Sequence, residues 1–367
     1  MEAYPRTWID IDLSAIGINL AAVRARIGPE KLLSMVVKAD GYGHGIVPIS
    51  RYAETHGADW LCVATAPEAI AIREAGVQCP ILILSPILPV ESDQAVHYDL
   101  RVSIESLEAA KSLSEAGKRL GKTAFAHLEV DTGIARFGCR PEDTVELVRQ
   151  ISQLPNLKLE GLSHHYVDSS TDAAKTIRQA DRFGDIVREL DSLSLLPDIV
   201  HSSNSAGTMK YPEHSHQMVR VGIVAYGIDL YSLCGGDHQR ALTWYARVIA
   251  LRDVKAGETV GYSSTYVCPA DCKIATLGVG YGDGYPRSLS SKGFVRVKEV
   301  KCPVVGLVCM DQMMVDVTSV PDIAVGDTAV IVGDGVRIED LSPLAETNLH
   351  EIPTRIGMRV PKRYLNG

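Results

Sequence analysis

The chain has 367 residues, of which 46% are hydrophobic and 22% are charged, and its formal net charge is −8 at pH 7. These values are typical of a globular protein with about two domains. Acidic and basic residues are interspersed without a basic stripe, which argues against nucleic acid as a partner, and the apolar runs are too short to cross a membrane.

The first residues, MEAYPRTWIDIDL, lack the basic start and the apolar core of a secretory signal. We therefore expect a cytoplasmic protein. Eight cysteines are scattered along the chain, and the closest pair, Cys268 and Cys272, has neither the spacing of a redox CxxC motif nor that of paired zinc ligands. Reduced thiols and no metal site are the resulting prediction.

Over the first two-thirds of the chain, short apolar runs alternate with helical patterns. Strands are predicted at 32–38, 60–64, 80–85, 101–104, 125–130, 159–164, 198–202 and 218–223. Helices are predicted at 13–27, 46–57, 67–76, 105–119, 141–152 and 172–192. Eight strands joined by helices indicate an α/β fold with a (β/α)8 barrel of the TIM type rather than an open sheet. The last crossover is the least clearly predicted part.

From about residue 240 the helical patterns give way to short β-rich runs separated by Gly, Pro and Asp. This pattern predicts a C-terminal, mostly-β domain. We place the barrel at residues 10–235 and the β domain at 236–367. The N-terminal strand, within residues 1–12, alternates in TWIDIDL and is assigned to the β domain.

The most informative segment is VVKADGYGHG at 36–45, where Lys38 follows an apolar run and precedes a glycine-rich loop. A lysine half-buried at a strand end can lose its proton near neutral pH and attack a carbonyl group. Pyridoxal 5′-phosphate carries such a carbonyl group. The alternative is a strand-end lysine held in a salt bridge.

In a barrel enzyme the chemistry gathers at the C-terminal ends of the strands. The predicted ends carry Lys38 and Tyr42 on the first strand, Glu129, Asp131, Thr132 and Arg136 on the fifth, His164, His165 and Tyr166 on the sixth, His201, Ser202, Ser203, Asn204 and Ser205 on the seventh, and Arg220, Gly222 and Ile223 on the eighth. The last two ends suit a phosphate, because Asn204 and Ser205 can open a helix and Gly222 allows close approach of the backbone. A simple capped turn is the alternative for this segment.

Arg220 is a sharper indication, because a buried arginine cannot discard its charge. If it faces a pyridine nitrogen, that nitrogen stays unprotonated and the ring withdraws electrons less strongly. This arrangement suits a reaction that needs only brief removal of a proton. A structural salt bridge to an acidic residue of the barrel is the alternative.

Three segments of the predicted β domain carry aromatic or polar residues in turns. GVGYGDGYP at 278–286 is glycine-rich but lacks the spacing of a dinucleotide-binding motif, and we interpret it as a loop presenting Tyr281 and Tyr285. GYSSTY at 261–266 offers Tyr262, which physical reasoning alone does not rank above a surface aromatic residue. CMDQMMVDV at 309–317 is interpretable as a core strand.

Taken together, VVKADGYGHG, MVRVGIVAYG, VGYSSTY, GYGDGY and VCMDQMMVDV resemble, in the same order, segments of the bacterial alanine racemases. The resemblance spans nearly the whole chain, from TWIDIDL to RVPKRY. It implies a pyridoxal-phosphate enzyme that interconverts L-alanine and D-alanine by a two-base mechanism and supplies D-alanine for peptidoglycan. It also implies a homodimer with composite active sites.

The resemblance also assigns a role to individual residues. Lys38 is similar to the lysine that forms a Schiff base with the cofactor and acts as one base, and Tyr262 to the opposing base, donated by the second subunit. Arg220 matches the partner of the pyridine nitrogen, and His165 matches the link between that arginine and Tyr262. The implied phosphate contacts are Tyr42, Asn204, Ser205, Gly222 and Ile223. The implied substrate contacts are Arg136, which also lies near the cofactor, the Met310 N–H with its neighbours Cys309 and Asp311, and Tyr281 as a gate.

Two positions depart from the family pattern. Glu129 stands where many relatives carry a carbamylated lysine that holds the arginine matching Arg136. His350 stands where the family usually has a phosphate-contacting tyrosine, next to the pocket for the substrate side chain. A serine racemase or a racemase of broader specificity is therefore the alternative within the family.

The two alternative functions outside the family are a pyridoxal-phosphate decarboxylase and a non-catalytic cofactor carrier. A pyridoxal-phosphate decarboxylase of the same architecture usually pairs the pyridine nitrogen with a carboxylate, which Arg220 argues against. A non-catalytic cofactor carrier of the single-domain barrel type lacks a β domain and therefore lacks an equivalent of Tyr262.

Overall fold

The fold is described from a computed structural model over residues 5–228 and 238–367. The first strand, Thr7–Asp12 (β1), leads directly into helix Leu13–Ile27, whose first turn is capped by the Asp12 carboxylate. Eight parallel strands then close into a barrel. These strands are Leu32–Val36 (β2), Trp60–Val63 (β3), Ile81–Ile83 (β4), Arg101–Ile104 (β5), Ala124–Glu129 (β6), Leu157–Ser163 (β7), Ile199–His201 (β8) and Met218–Val221 (β9).

The barrel closes where β2 pairs in parallel with β9, with Ser34 opposite Arg220. Each predicted barrel strand is present with bounds shifted by a few residues, and the predicted fold class is confirmed. The strands read as apolar runs because both of their faces are buried, one by the barrel interior and one by the helices. Polar side chains that nevertheless point inward mark the functional part of the barrel.

Helices cover the barrel between successive strands. They are Ile46–Thr55, Ala66–Glu74, Ser92–His97, Leu107–Leu120, Thr144–Ile151, Ala173–Ser192 and Ser205–Lys210, with 3-10 helices at Pro89–Glu91, Pro141–Asp143, Pro212–His214 and Ile223–Tyr226. The six predicted helices are all present, whereas Ser92–His97 was not predicted because a single short turn has no readable periodicity. In the last crossover, the place of a long helix is taken by Ser205–Lys210 and Pro212–His214.

The remaining strands, apart from one two-stranded hairpin, form a second, largely antiparallel sheet with β1. They are Leu242–Val254 (β10), Thr259–Val260 (β11), Tyr266–Val267 (β12), Cys272–Leu277 (β13), Phe294–Val297 (β14), Val300–Val305 (β15), Met313–Asp316 (β16), Thr328–Val332 (β17) and Lys362–Leu365 (β18). Eight of these strands follow the order β13-β16-β15-β14-β17-β10-β1-β18, and β11 and β12 form a separate hairpin. Further helices here are Ile338–Leu344 and Glu351–Thr354, with 3-10 helices at Tyr262–Ser264, Tyr281–Asp283 and Arg287–Leu289.

In this sheet β1 lies between β10 and β18. Ile9 is opposite Trp244 of antiparallel β10 on one side and opposite Lys362 of parallel β18 on the other. The boundary between residues 235 and 236 falls in the segment 229–237, which lies outside the described residues, as do residues 1–4 and Cys234. The domain limits therefore stay a prediction. Among the described residues, no helix combines the length and the apolar character needed to span a membrane.

Candidate active site

A cavity of about 450 Å³ opens at the C-terminal end of the barrel. It brings together nine of the predicted site residues, which are Lys38, Tyr42, His165, Asn204, Ser205, Arg220, Gly222, Ile223 and His350. They come from the ends of four strands and from the segment before Glu351–Thr354, so the fold assembles the cavity from distant parts of the chain.

Lys38 is half-buried two residues beyond the end of β2. Burial lowers the pKa of its ammonium group, and the positive charge of Arg136 lowers it further, although the carboxylate of Glu68 opposes them. No carboxylate of the described residues lies within salt-bridge distance of its Nζ. The salt-bridge alternative for Lys38 is therefore wrong, and the lysine has the environment of a nucleophile or base.

The segment after Lys38 forms a left-handed turn rather than an open loop. The φ angles of Ala39, Asp40, Gly41 and Tyr42 are 52°, 55°, 61° and 52°. Each non-glycine residue costs about 1–2 kcal/mol in this conformation. Backbone strain of this kind collects at functional sites, and here it follows Lys38 at once and ends on Tyr42, so that both side chains line the same cavity.

Asp40 and the C-terminal segment hold this turn in place. The Asp40 carboxylate accepts hydrogen bonds from the Ile46 N–H (2.9 Å) and from Lys362 Nζ (2.8 Å). Gly43 and Gly45 pack so closely against Pro353 and Tyr364 that a Cβ atom would clash at either position. These contacts offset the strain of the turn.

Arg220 is buried inside the barrel, with only 3% of its surface exposed. Its Nη2 donates to the carbonyl oxygens of His164 (3.0 Å) and Ser202 (3.1 Å) and lies 3.3 Å from Nδ1 of His165, while Nη1 donates to Nδ1 of His201. None of the described carboxylates forms an ion pair with it. The salt-bridge alternative for Arg220 is therefore also wrong, because the guanidinium group is held by histidines and carbonyl groups.

The predicted link between Arg220 and His165 has a matching geometry. Burial lowers the pKa of His165 well below its ordinary value, and the charges of Arg220, Arg136 and Lys38 lower it further. His165 is therefore a neutral imidazole that can accept from Arg220. His201 also contacts Arg220. The sequence predicts its place at a strand end but not this role, because its sequence context gives no sign of its partner.

The corner of the cavity formed by Ser205, Gly222 and Tyr42 suits a phosphate group. The Gly222 N–H donates to Ser205 Oγ (2.9 Å), and a Cβ atom on Gly222 would lie 2.5 Å from the Tyr42 hydroxyl group. Burial raises the pKa of Tyr42, so its hydroxyl group is a neutral donor. Ser205 and Ile223 each begin a short helix, where backbone N–H groups lack intrahelical acceptors.

Asn204 lines the cavity, and its side chain also caps the helix that follows it. Its side-chain oxygen caps helix Ser205–Lys210 by accepting from the Gly207 N–H (2.9 Å), and it also accepts from Ser169 Oγ (2.8 Å). Asn204 thus shapes the phosphate corner, and a direct contact of its side chain with phosphate stays a prediction.

Glu129 is buried at the end of β6 and does not form an ion pair with Arg136 among the described residues. It accepts a hydrogen bond from Ser163 Oγ (2.5 Å). Burial raises the pKa of its carboxyl group, and the charge of Arg220 opposes this more strongly than that of Arg136. Arg136 itself is exposed and is not among the residues that line the cavity, and the carbon of its guanidinium group lies 4.6 Å from the centre of the Phe137 ring.

Tyr262, Cys309, Met310 and Asp311 do not line this cavity. They line a separate depression on the β domain, together with Gly261, Gln312 and Met314. Within one chain, 71% of the Tyr262 surface and 54% of the Met310 surface are exposed, so neither side chain is covered by the described residues of its own chain. Only the second half of CMDQMMVDV is a strand, Met313–Asp316, so the strand interpretation is wrong for residues 309–312.

Arg359, which was not predicted, joins the two loops that carry Met310 and Tyr281. Its Nε donates to the buried Asp283 carboxylate (2.7 Å), and its Nη2 donates to Asp311 (2.7 Å). The Tyr281 N–H also donates to the Cys309 carbonyl oxygen (3.0 Å). The predicted gate residue is therefore fixed to the loop of Met310.

His350 lies at the cavity wall with its ring centroid 5.9 Å from that of Tyr42, and burial lowers its pKa, as does the charge of Lys38. The donor set as a whole fits pyridoxal phosphate. It offers an amine for the aldehyde, hydroxyl and backbone donors for a phosphate, and a buried guanidinium group for a ring nitrogen. No group of three or more His, Cys, Asp or Glu residues in the described ranges is placed to hold a metal ion.

Comparison with known proteins identifies the same family in the N-terminal and the C-terminal parts of the chain. The family models for the N-terminal and the C-terminal domains of alanine racemase match residues 11–229 and 241–364. An alanine racemase from Halothermothrix orenii is 38% identical over 98% of this chain and 97% of its own length.

Solved structures agree with this similarity. The alanine racemase from D-cycloserine-producing Streptomyces lavendulae superposes with a TM-score of 0.93 at 34% identity, covering 100% of this chain and 98% of its own. The alanine racemase from E. faecalis has a TM-score of 0.90 at 33% identity, with 99% of each chain covered. The barrel, the second sheet and the similarity to these enzymes along nearly the whole chain show that the chain belongs to the alanine racemase family.

Proposed function

We propose that Lys38 of one subunit and Tyr262 of a second subunit are the two groups that transfer protons in this alanine racemase. The racemase activity itself follows from the family assignment. The observation that carries the proposed pair is the separation of the site within one chain: Lys38 lies in the barrel cavity, whereas Tyr262 is exposed on another surface. A second copy would bring the two together.

The family depends on pyridoxal phosphate, which, when bound, withdraws electrons from a substrate amino acid and so acidifies its Cα–H bond. In this chain Lys38 would hold the aldehyde carbon. Tyr42, Ser205, Gly222 and Ile223 would hold the phosphate, with Asn204 and His350 at the edge of that corner.

Lys38 is suited to moving a proton at one face of the substrate α-carbon. A base works best when its pKa lies near the working pH. Burial and the charge of Arg136 lower the pKa of Lys38 in that direction. Tyr262 would act at the opposite face, where its phenol group can take a proton in one direction of the reaction and return it in the other.

Arg220 would face the pyridine nitrogen and keep a proton off it, because two adjacent cations are unfavourable. The neutral His165 beside it would connect this charge to the phenol group of Tyr262. An arginine in this place disfavours a decarboxylase, and the β domain that carries Tyr262 disfavours a cofactor carrier.

The substrate carboxylate would be bound by Arg136 and by the Met310 N–H of the second subunit, with Cys309 and Asp311 flanking it and Tyr281 acting as the gate. When ionised, Glu129 interacts more strongly with Arg220 than with Arg136, and it is not a direct partner of Arg136. The relatives reported above are all named alanine racemases, and nothing in those names favours serine. Alanine is accordingly the proposed substrate.

We place the enzyme in the cytoplasm as a homodimer that supplies D-alanine for peptidoglycan, with the barrel at residues 10–235 and the β domain formed by 236–367 and the N-terminal strand. The support for the dimer is the exposed depression around Tyr262. A C2 dimer would use that depression twice, once for each cavity.

A mixed dimer tests the proposal. Lys38→Ala and Tyr262→Phe subunits, each inactive alone, are given different affinity tags, unfolded, refolded together and isolated as the doubly tagged species. If the sites are composite, each mixed dimer contains one site with both native groups and converts L-alanine to D-alanine. Inactive mixed dimers, with wild-type protein that survives the same treatment, would refute the shared site.

A further inference from the structure

A chain of hydrogen bonds runs through the barrel interior away from the cofactor cavity. It consists of Arg220, His201, His127, Glu160 and Arg101, which we call the interior polar chain. Arg220 and His201 belong to the cavity end of β9 and β8, whereas Arg101 is the first residue of β5. Because parallel barrel strands begin at the same end, the interior polar chain connects the two ends of the barrel.

The contacts are continuous from one residue to the next. Arg220 Nη1 is hydrogen-bonded to His201 Nδ1, and His201 Nε2 lies 2.7 Å from His127 Nδ1. His127 Nε2 lies 3.3 Å from Glu160 Oε2, and the same oxygen lies 3.2 Å from Arg101 Nε. His127 and His201 are at most 1% exposed, so no bulk water competes for their ring nitrogens.

These contacts allow only one arrangement of protons. The Arg220 guanidinium group can only donate, so His201 must accept at Nδ1 and carry its proton on Nε2. His127 must then accept at Nδ1 and carry its own proton on Nε2. That proton needs an acceptor, and the Glu160 carboxylate is the group in place.

Charge favours the same arrangement. Burial lowers the pKa of His127, and burial together with the charge of Arg220 lowers the pKa of His201 well below its ordinary value, so both rings are neutral. Burial alone would raise the pKa of Glu160, but the hydrogen bond from His127 and the charge of Arg101 outweigh it. Glu160 is therefore an anion, and an anion can only accept.

We propose that Glu160 and His127 are positioning residues of the racemase, which fix the His201 tautomer so that it accepts from Arg220 and holds the guanidinium group toward the cofactor. This inference rests on the proposed role of Arg220. Without an acceptor at position 160, His127 can place its proton on Nδ1, and His201 must then turn an N–H group toward Arg220. Two donors would face each other at hydrogen-bonding distance, and the guanidinium group would shift.

The test compares Glu160→Gln with Glu160→Met in the holoenzyme. Glutamine removes the charge and keeps an oxygen that can accept from His127, whereas methionine has a similar length and no strong acceptor. We expect Glu160→Gln to retain most of the turnover. We expect Glu160→Met to lower kcat by about tenfold or more, comparable to the roughly 10- to 100-fold cost of removing a group that orients a metal ligand, with little change in KM for alanine and with an altered absorption spectrum of the bound cofactor.

Nitrogen-15 NMR of protein labelled at histidine measures the tautomers of His127 and His201 directly. The variants His127→Phe and His201→Asn assign the signals. In the wild type both rings should carry the proton on Nε2, and Glu160→Met should change the tautomer of His127. Glu339→Met is the matched control, since Glu339 is a similarly buried carboxylate in an ion pair with Arg240 (3.1 Å) in the β domain. It should leave both tautomers and the cofactor spectrum unchanged.

The outcomes separate this inference from the proposed function. A wild-type enzyme that racemises alanine but shows His127 or His201 as a cation, or protonated on Nδ1, overturns the positioning role alone. The same holds if glutamine and methionine at position 160 lower kcat and the melting temperature equally, since that result describes packing. If the Glu160→Met variant does not fold, the tautomers of His127 and His201 in the wild type still test the positioning role. A wild-type holoenzyme without racemase activity would instead contradict the proposed function.

Discussion

Nη2 of Arg220 lies 3.3 Å from Nδ1 of His165 and at the same time donates to two backbone carbonyl groups of neighbouring strands. The guanidinium group is therefore both a structural support of the barrel and the charge that would face the cofactor ring. A substitution here has consequences for stability and for chemistry that can be measured separately.

Arg220→Ala should lower the free energy of unfolding of the cofactor-free protein by at least about 3 kcal/mol, because it leaves buried acceptors without donors at about 1–3 kcal/mol each. Urea denaturation at one pH measures this. Arg240→Ala, which removes a half-buried arginine of the β domain, is the comparison, and a smaller loss for Arg220→Ala than for Arg240→Ala would contradict the described network.

Gly222→Ala should weaken cofactor binding, because the new Cβ atom would lie 2.5 Å from the Tyr42 hydroxyl group. Overpacking of this kind costs about 1–3 kcal/mol, which corresponds to roughly 5- to 150-fold in the dissociation constant if the bound form carries the whole cost. Titration of the apoenzyme with cofactor, followed by absorbance, measures it. Gly184→Ala, where the only close atom belongs to the flexible Arg188 side chain, should bind normally.

Arg359→Ala should raise KM for alanine by roughly 2- to 10-fold with a smaller effect on kcat, because it frees the loops of Tyr281 and Met310, which would position the substrate rather than transfer protons. Steady-state kinetics in both directions test this. Arg363→Ala removes a comparable exposed ion pair, with Asp10 (2.6 Å), away from these loops, and its kinetics should match the wild type.

Stability should fall as the pH is lowered from about 6.5 to about 4. Burial lowers the pKa of His44 to about 4 from an ordinary 6.5. In that window the unfolded chain binds a proton that the folded protein does not, so such a histidine lowers the free energy of unfolding by about 1.4 kcal/mol for each pH unit of decrease. Urea denaturation at pH 7 and pH 5 measures the slope.

His44→Phe should flatten this dependence, since the phenyl ring keeps the packing against Tyr226 and cannot take up a proton. His56→Phe is the control, because His56 also stacks on a tyrosine but is exposed. An unchanged slope in His44→Phe would show that His44 is already protonated in the folded protein.

The contribution of Glu129 to the pH dependence of stability has the opposite sign. Burial raises the pKa of its carboxyl group in the folded protein, so its contribution to the free energy of unfolding increases as the pH falls.

The barrel could be predicted from the sequence because its strands are buried on both faces and therefore appear as apolar runs at regular spacing. For the second sheet, only the β-rich character of this part of the chain could be predicted. Its order, with β1 between β10 and β18, depends on pairings between residues such as Ile9 and Lys362 that lie at opposite ends of the chain.

The site was predicted where its residues stand at strand ends, as Lys38 and Arg220 do. The left-handed turn was not predicted, since Ala39 and Asp40 give no sign of a positive φ. His127 and Glu160 lie in the interior of β6 and β7, and only the register of the barrel shows that they meet. Arg359 is separated from Asp283 by 76 positions, a contact that no local pattern reveals.

The dependence of the Lys38 turn on Pro353, Lys362 and Tyr364 has a consequence during synthesis. Lys362 lies 322 positions after Asp40. The turn that follows Lys38 can therefore be held in its strained shape only after residues 353–364 have been synthesised and have folded against it, and a shorter chain that lacks them would carry the amine of Lys38 without this support.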